Sequence, residues 1–303
     1  MIFEASNIYK KFPRSNFELQ VPNVSLAEST ITGVVGENGN GKTTLLNIIA
    51  GELQCNGALN YLGETVSSDT NWSALKQNIA FIPQRIPRWY GSLIQNLKLK
   101  ASLDGIEGDI IDAYLDEILT FLGLMKYKHL KWTEISTGYR LRFELARVLI
   151  GKPSLLVLDE PLANLDINTQ QKFLSDLKNI LSDKEYTTAV ILSSQQLHEI
   201  ETVSDQMIFL KNGHTVFSGN MQELGKDEGK QVFEFQVSAD SKPKFMEFLK
   251  TKELHHIQTG EYLQVSVDST NVANSFLKQV LAEDIDVKYY RNISQSTKRL
   301  FNQ

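Results

Sequence analysis

Cysteine and long hydrophobic runs are both scarce in this 303-residue sequence. The single cysteine, Cys55, can form neither an intrachain disulfide nor, by itself, a zinc site, which is typical of a protein from a reducing compartment. No uninterrupted run of apolar residues exceeds four, and Glu4 stands near the N-terminus, so the sequence predicts neither a transmembrane segment of its own nor a signal peptide. These absences together favour a cytoplasmic location.

An excess of positive charge is also missing. The chain has 31 lysines and arginines against 36 aspartates and glutamates, a net charge of -5. Nucleic-acid-binding proteins usually carry a basic patch that contacts phosphates, so this balance counts against DNA or RNA as a partner. The composition, 42% hydrophobic and 22% charged, is that of a globular protein. At roughly 150 residues per domain, the length predicts about two domains.

Short apolar runs alternate with helical periodicity over the first two thirds of the chain, a pattern that predicts an α/β fold with a parallel sheet covered by helices. Residues 155–158 are apolar at every position, as a strand in the middle of such a sheet must be. We predict strands over residues 31–35, 78–82, 155–159 and 189–192, a hairpin at Asn212 and Gly213, and helices that begin at residues 42, 109 and 137.

The composition changes after the predicted hairpin. Residues 224–230 are charged and rich in glycine, which indicates a linker. From 231 to 303 the apolar pattern predicts the order β-α-β-β-α-β, which is typical of a small ferredoxin-like α+β domain. Its aromatic residues predict a packed core, and it lacks a catalytic cluster. We therefore expect this domain to have a structural or partner-binding role.

Residues 36–43, GENGNGKT, fit the phosphate-loop pattern and lie between a predicted strand and a predicted helix. In such a loop glycines let backbone N–H groups surround phosphates, the lysine reaches the β- and γ-phosphates, and the hydroxyl ligates Mg²⁺. The alternative is a glycine-rich turn followed by a chance Lys-Thr pair, and the flanking strand and helix argue against it. The predicted nucleotide contacts are Gly36, Asn38, Gly39, Asn40, Gly41, Lys42, Thr43 and Thr44, with Thr43 also a Mg²⁺ ligand.

Two carboxylates, Asp159 and Glu160, follow the apolar strand 155–158. The mouth of a parallel sheet is where Mg²⁺ takes a further protein ligand, which predicts Asp159 for the metal. The adjacent Glu160 can polarise the attacking water. Taken alone the pair would be read as a solvated acidic turn, but the upstream phosphate loop favours the catalytic interpretation.

Several further motifs, in order along the chain, resemble those of the ATP-binding subunits of ATP-binding cassette (ABC) transporters. Residues 135–139, ISTGY, resemble the family's signature segment, and residues 163–166, ANLD, resemble the loop that touches the opposite subunit. The resemblance covers roughly residues 2–220. It implies a P-loop NTPase cassette over residues 1–223 with a helical signature subdomain at about 85–150. Residues 231–303 would then be a regulatory or dimerisation domain.

The resemblance also implies an ATP site shared by two such subunits, in a homodimer or a heterodimer. Gln84 would sense the γ-phosphate, contact Mg²⁺ and link the site to integral-membrane permease subunits. Ser136 and Gly138 would hold the γ-phosphate bound by the second subunit, and Asp166 would contact that subunit. From the residues alone, Ser136 could equally be a helix N-cap. Phe12 falls where the family places an aromatic under adenine, and a core position is an equally good interpretation.

The chain departs from the family pattern at three positions. Thr137 stands where a glycine is usual, Tyr139 where a glutamine is usual, and Gln195 where a histidine is usual. Glutamine retains an NH₂ donor for the γ-phosphate but cannot serve as an acid or base. His198, three residues later, is the alternative candidate for the missing histidine.

Aromatic and basic residues follow Gln84 in the sequence. Trp89 and Tyr90 are residue types enriched at protein interfaces, and their place in the chain predicts a contact with the permease. Local packing is the alternative for this pair. His255 and His256 are consecutive in the second predicted domain, and no cysteine or cluster of carboxylates accompanies them in the sequence. We therefore expect packing or solvation of these histidines rather than metal binding.

We therefore expect an ATP-binding and ATP-hydrolysing subunit of a membrane transporter, attached to the cytoplasmic face of the membrane. Residues 94–105 and the Thr137-Gly138 pair resemble exporter-type ATPases. A nucleotide-dependent interaction protein with little or no hydrolysis is the alternative, supported by Gln195 and opposed by Glu160. A cassette ATPase acting on nucleic acid is disfavoured by the acidic net charge.

Overall fold

The computed structural model describes residues 1–183, 186–220, 230–268 and 273–293. It divides the chain into two compact units, Met1–Ser218 and Gly219–Gln303. The predicted linker at 224–230 lies outside the described residues except for Lys230, and so does Val272 at the start of a predicted helix.

The first unit contains a large mixed sheet. Its order is β5-β4-β1-β2-β10-β9-β3-β8-β7-β6, and the run from β9 to β6 is parallel throughout. Strands β1, β2, β4 and β5 form an antiparallel extension. The strands are β1 (Phe3–Lys11), β2 (Glu18–Leu26), β3 (Ile31–Val35), β4 (Asn56–Tyr61), β5 (Glu64–Thr65), β6 (Ile79–Ile82), β7 (Leu155–Leu158), β8 (Ala189–Ser194), β9 (Gln206–Lys211) and β10 (His214–Asn220).

Helices of the first unit pack against this sheet or form the helical subdomain between β6 and β7. They are α1 (Lys42–Ile49), α2 (Trp72–Lys76), α3 (Leu93–Leu103), α4 (Gly108–Phe121), α5 (Thr137–Leu149), α6 (Ile167–Ser182) and α7 (Leu197–Ile200), with short 3₁₀ turns at Met125–Tyr127 and Trp132–Glu134. The predicted parallel sheet and its covering helices are confirmed.

The centre of the parallel sheet is fully apolar. Every residue of β3, β7 and β8 is buried, as expected for strands in the middle of a covered parallel sheet. Residues from β3, β7, β8 and α1 share one core with β1 and β2. This rigid centre fixes the positions of the loops that follow the strands.

The second unit has the predicted β-α-β-β-α-β order. Its antiparallel sheet runs β12-β13-β11-β14, and its core is rich in phenylalanine. Phe235 contacts Phe245 and Phe276 at ring-centroid distances of 5.2 and 5.7 Å. The elements are β11 (Lys230–Val237), α8 (Lys242–Thr251), β12 (His256–Thr259), β13 (Tyr262–Asp268), α9 (Ala273–Ala282) and β14 (Val287–Asn292).

Candidate functional site

Four neighbouring parallel strands, β3, β8, β7 and β6, end at the same edge of the sheet. The phosphate loop follows β3, Gln195 follows β8, Asp159 follows β7, and Gln84 lies just beyond β6. Ligands of open α/β sheets bind at this edge. The fold therefore brings together candidate residues that are up to 159 positions apart in sequence.

The phosphate loop has the backbone geometry its glycines predict. Gly39 and Gly41 have φ angles of +82° and +96°, which residues with a side chain rarely adopt. Gly41 is the N-cap of α1, so the first backbone N–H groups of this helix are available to an anion. A Cβ at Gly36 would lie 2.5 Å from the Leu210 carbonyl oxygen, so this position also requires glycine. The loop fits a phosphate group.

The loop opens onto a pocket of about 480 Å³. Phe12 lies at its rim beside Phe17, with 6.2 Å between the ring centroids, and is half-buried. Asn40, although part of the phosphate loop, does not line the pocket. Its Oδ1 accepts a hydrogen bond from the Asn212 N–H over 2.9 Å and so faces the β9–β10 turn. The pocket is lined by Phe12, Ser15, Phe17, Asn38, Gly39, Gly41, Lys42, Thr43, Thr44, Gln84 and Glu160.

Glu160 is the point where the candidate side chains converge. The Lys42 Nζ lies 3.1 Å from Glu160 Oε1, and both groups are buried, at 3% and 7% side-chain exposure. The side-chain amides of Gln84 and Gln195 both donate to Glu160 Oε2, each over 2.8 Å. The predicted contacts of these two glutamines with a γ-phosphate remain predictions, since their partner in this structure is the carboxylate.

The backbone and a serine hold the two carboxylates in place. Glu160 has a φ of +45°, a strained value for a residue with a side chain, at the turn between β7 and the following loop. The Ser193 hydroxyl accepts from the Glu160 N–H over 2.9 Å and donates to Asp159 Oδ1 over 2.8 Å. Ser193 is fully buried at the end of β8. Sequence reasoning missed this residue, although two serines ending an apolar strand are an available signal.

The predicted signature segment begins α5. Ser136 is the N-cap of this helix, and its hydroxyl accepts from the Tyr139 N–H over 3.4 Å. Ser136 and Thr137 are exposed, whereas Gly138 is buried. Tyr139, which replaces the usual glutamine, hydrogen-bonds Tyr127 between hydroxyl oxygens over 2.7 Å. Neither Ser136 nor Gly138 lines the pocket beside Lys42.

Asp166 is the N-cap of α6. Its carboxylate accepts from the Thr169 hydroxyl over 2.6 Å and from the Thr169 N–H over 3.0 Å. The hydrogen bond from the Thr169 hydroxyl, followed by that from the Thr169 N–H, holds the pKa of the Asp166 carboxyl below its ordinary value. Asp166 is therefore ionised, exposed and oriented by its own helix.

Comparison with known proteins identifies the family. Residues 19–163 match a family model described as ABC transporter. Over 222 residues the chain is 32% identical to the uncharacterized ABC transporter ATP-binding protein YxlF of Bacillus subtilis (strain 168), covering 72% of this chain and 71% of YxlF. The chain belongs to the ABC transporter family. It is an ATP-binding subunit with an ATPase domain, as the resemblance of its motifs implied.

One further relative in sequence and one solved structure are also similar to this chain. The chain is 30% identical over 245 residues to the spermidine/putrescine import ATP-binding protein PotA of Spiroplasma citri, covering 79% of this chain and 67% of PotA. The cbiO1 structure from Clostridium perfringens superposes with a TM-score of 0.68 at 22% identity, over 75% of this chain and 91% of that one. At this identity the structural likeness establishes the fold alone.

One expectation about this ABC subunit is wrong. Trp89 is only 8% exposed, stacks on Trp132 at 4.9 Å and donates through Nε1 to Glu144 Oε2 over 3.1 Å. It therefore belongs to the helical subdomain's interior rather than to an interface. Tyr90 is 80% exposed and remains a candidate for the permease contact. None of the helices in the described part of the chain has both the length and the apolar composition needed to cross a membrane.

Proposed function

We propose that two ABC ATPase chains close around ATP and Mg²⁺ on membrane permease subunits, and that Glu160 activates the attacking water. The convergence of Lys42, Gln84 and Gln195 on this one carboxylate carries the proposal. A general base needs a fixed position within reach of the reacting water. The observed contacts supply that position at the wall of the phosphate-loop pocket.

The donor atoms around the pocket suit ATP and Mg²⁺. Lys42 supplies a cation, and the N-terminus of α1 supplies backbone N–H groups for the phosphates. The Thr43 hydroxyl, the Asp159 carboxylate and the Gln84 amide oxygen are hard oxygen ligands of the kind that Mg²⁺ prefers. When bound, Mg²⁺ would neutralise charge on the phosphate oxygens.

A shared site would explain the position of the signature residues. Ser136 is exposed at the N-terminus of α5 but is not part of its own chain's nucleotide pocket. A helix N-terminus with a hydroxyl can bind an anion that a second subunit presents. Asp166 is likewise exposed and oriented. The partner subunit is proposed to be an identical or a related ATPase chain.

The permease surface is proposed to include, in addition to the exposed Tyr90, the groove between the sheet and the helical subdomain. This groove has a volume of about 830 Å³ and lies between α2 and β6 on one side and α3, α4 and α5 on the other. Leu103 and Ile110 line it and are 76% and 59% exposed. Exposed apolar side chains grouped in a groove are typical of a protein-binding site. Attachment there would place the chain at the cytoplasmic face of the membrane.

Co-purification from detergent-solubilised membranes tests this part of the proposal. Leu103→Asp is expected to lose the permease while keeping nucleotide affinity, and Leu62→Asp, an exposed leucine outside the groove, is the matched control. Equal permease recovery with both variants would contradict the assignment of the groove.

Export rather than import remains the finer proposal. It rests on the likeness of Thr137-Gly138 and residues 94–105 to exporter-type ATPases. Relatives named as import proteins, such as PotA, do not favour it. Purification of the intact complex decides the direction, because recovery of a dedicated substrate-binding protein with the permease would contradict export.

A nucleotide-gated interaction protein with little hydrolysis is the second candidate. The observation that favours it is the neutral Gln195 on the general base, where a titratable group is usual. Steady-state ATP turnover of the purified chain, alone and with its permease, separates the two candidates. Turnover at the background rate in both preparations would favour the second.

Residues 231–303 are proposed to form a regulatory or dimerisation domain. The phenylalanine core of the second unit is separate from the core of the first, which supports an independent module. Ending the chain after residue 222 is expected to leave ATP binding intact and to change self-association. Loss of ATP binding with the first unit still folded would contradict the separation.

A further inference from the structure

Thr169, on α6, contacts both segments that the proposed two-subunit site needs. Its methyl carbon Cγ2 lies against Gly138 in the signature segment, and its hydroxyl and N–H groups bind Asp166. Thr169 lies outside the motifs that the sequence predicts to be functional. Its contacts join two motifs that are 28 positions apart in the chain.

Gly138 is not required by its own backbone conformation. It lies inside α5 and is absent from the glycines with positive φ, so an alanine could adopt the same backbone. Alanine also favours a helix interior over glycine. A Cβ built at this position would lie 2.3 Å from Thr169 Cγ2, while the next nearest atoms, Thr169 Cβ and Oγ1, are at 3.5 and 3.6 Å. A larger side chain at position 138 is therefore obstructed by a single methyl group on α6.

The two helices are fixed at a second point on the same faces. Arg142 follows Gly138 by four residues, one helical turn, and Asp176 follows Thr169 by seven residues, two turns. The Arg142 Nε donates to Asp176 Oδ2 over 2.6 Å, and both side chains are buried. This ion pair holds α5 against α6 at the spacing that brings Gly138 and Thr169 into contact.

The polar side of Thr169 orients the other segment. Asp166 ends residues 163–166, the segment resembling the loop that touches the opposite subunit, and it receives both Thr169 hydrogen bonds. A displacement of the signature segment relative to α6 therefore also disturbs the residue that orients Asp166. The methyl and the hydroxyl of one side chain carry these two contacts.

We propose that Thr169 is a positioning residue that holds the signature segment and the 163–166 segment in one fixed arrangement for the partner subunit's nucleotide. This inference rests on the proposed two-subunit site. It assigns the need for glycine at 138 to packing within one chain, in addition to any phosphate contact. It predicts that the need disappears when the Thr169 methyl is removed.

The test is a set of paired substitutions with kcat for ATP hydrolysis as the readout. Gly138→Ala is expected to lower kcat by about tenfold or more, since overpacking forces the helices to shift. Gly138→Ala combined with Thr169→Ser should recover most of that loss, because serine keeps the hydroxyl and removes the obstructing methyl. The matched control combines Gly138→Ala with Thr169→Val, which keeps the obstructing methyl but loses the hydroxyl that binds Asp166, and should be at least as impaired as Gly138→Ala alone.

Two further readouts separate positioning from folding. Nucleotide affinity of the isolated chain should be equal in all variants, since neither residue lines the pocket. ATP-driven dimerisation, measured with Glu160→Gln present, should fall with Gly138→Ala and return with the serine pair. If the serine pair stays as inactive as Gly138→Ala while it binds ATP normally, the proposal is overturned.

Failure of the proposed function is distinguishable from failure of this inference. A parent chain that neither hydrolyses ATP nor dimerises would contradict the two-subunit site itself. In that event the thermal midpoints still test the packing, because Gly138→Ala should lower the midpoint and Thr169→Ser, but not Thr169→Val, should restore it. Equal midpoints in all three variants would overturn the Gly138–Thr169 contact.

Discussion

Lys42 Nζ and Glu160 Oε1 form a buried ion pair of 3.1 Å across the floor of the nucleotide pocket. The same ammonium also donates to the carbonyl oxygens of Gly36 and Glu37, over 2.8 and 3.2 Å. The ammonium group that we propose to bind phosphate therefore has three protein partners in this structure. If Lys42 binds phosphate as proposed, phosphate would compete with the Glu160 carboxylate for this ammonium group.

Neutralising Glu160 should therefore tighten nucleotide binding by the isolated chain. Glu160→Gln removes the negative charge that competes with phosphate for Lys42, and ATP affinity should rise by up to about tenfold, or ~1.4 kcal/mol. Isothermal titration with dilute, monomeric protein measures this effect apart from dimerisation. Affinity equal to or weaker than that of the parent chain would contradict the competition.

Lys42→Ala should have the opposite effect. It removes the cation of the phosphate loop and leaves Glu160 without its charged partner, so ATP affinity should fall by more than about tenfold. The same titration measures it, with Lys76→Ala as a control, because Lys76 pairs with Glu52 on the surface away from the pocket. Parent-like affinity in Lys42→Ala would refute the phosphate-loop assignment.

Gln195 should act on turnover through Glu160. Its amide bond to the carboxylate is a hydrogen bond to a charged group, so Gln195→Ala should cost about 1.5 to 3 kcal/mol in kcat. Gln195→His should at least preserve turnover. His198 is exposed on α7, and His198→Ala should be nearly silent.

The pH profile checks the same assignment. With glutamine at 195, turnover should lack a titration near the ordinary histidine pKa of about 6.5. Gln195→His is the variant in which such a titration should appear. A large loss from His198→Ala with none from Gln195→Ala would instead assign the function to the later histidine.

Substitutions of the neighbouring residues Trp89 and Tyr90 should have different effects on stability and on permease association. Trp89→Ala removes a buried ring stacked on Trp132 and should lower the free energy of unfolding by about 3 to 5 kcal/mol. Tyr90→Ala, at an exposed position, should change it by less than about 0.5 kcal/mol and should weaken permease association. Chemical denaturation and co-purification measure the two effects, and equal destabilisation by both variants would contradict the structure.

The Asp166 cap predicts how stability changes at low pH. Because the folded pKa is below the ordinary value of 3.8, the charged cap stabilises the fold fully at pH values well above 3.8. This stabilisation is lost as the pH falls through the folded pKa. The difference in unfolding free energy between the parent and Asp166→Asn should therefore be constant from pH 7 to about 5 and shrink below about 4. A difference that grows on acidification would contradict the assigned direction.

The strongest sequence signals were those with both a local pattern and a chemical motif. The strand, loop and helix around Lys42 are predictable because an apolar run, positive-φ glycines and a helix start coincide within 20 residues. The order of the second unit was predictable from regular phenylalanine and valine spacing. Strand β1 was not predicted, because Asn7 has a φ of 53° and its pairing with β4 shifts register, which breaks the alternation of buried residues.

Side-chain partners in the site required the tertiary fold. The family resemblance places Gln84 and Gln195 near phosphate, but their convergence on Glu160 depends on neighbouring strands β6, β7 and β8. The interface prediction for Trp89 is wrong because the local sequence does not show whether an aromatic side chain packs inward or is exposed. Its partner Trp132 lies 43 positions away.

Steady-state ATP turnover by the parent chain and by Glu160→Gln, each with its permease in detergent, tests the central claim most directly. A positioned base contributes roughly 10² to 10⁴ to the rate, so Glu160→Gln should be slower by a factor in that range and should accumulate as an ATP-bound dimer. Turnover of Glu160→Gln at the parent rate would contradict the assignment of Glu160 as the group that activates water.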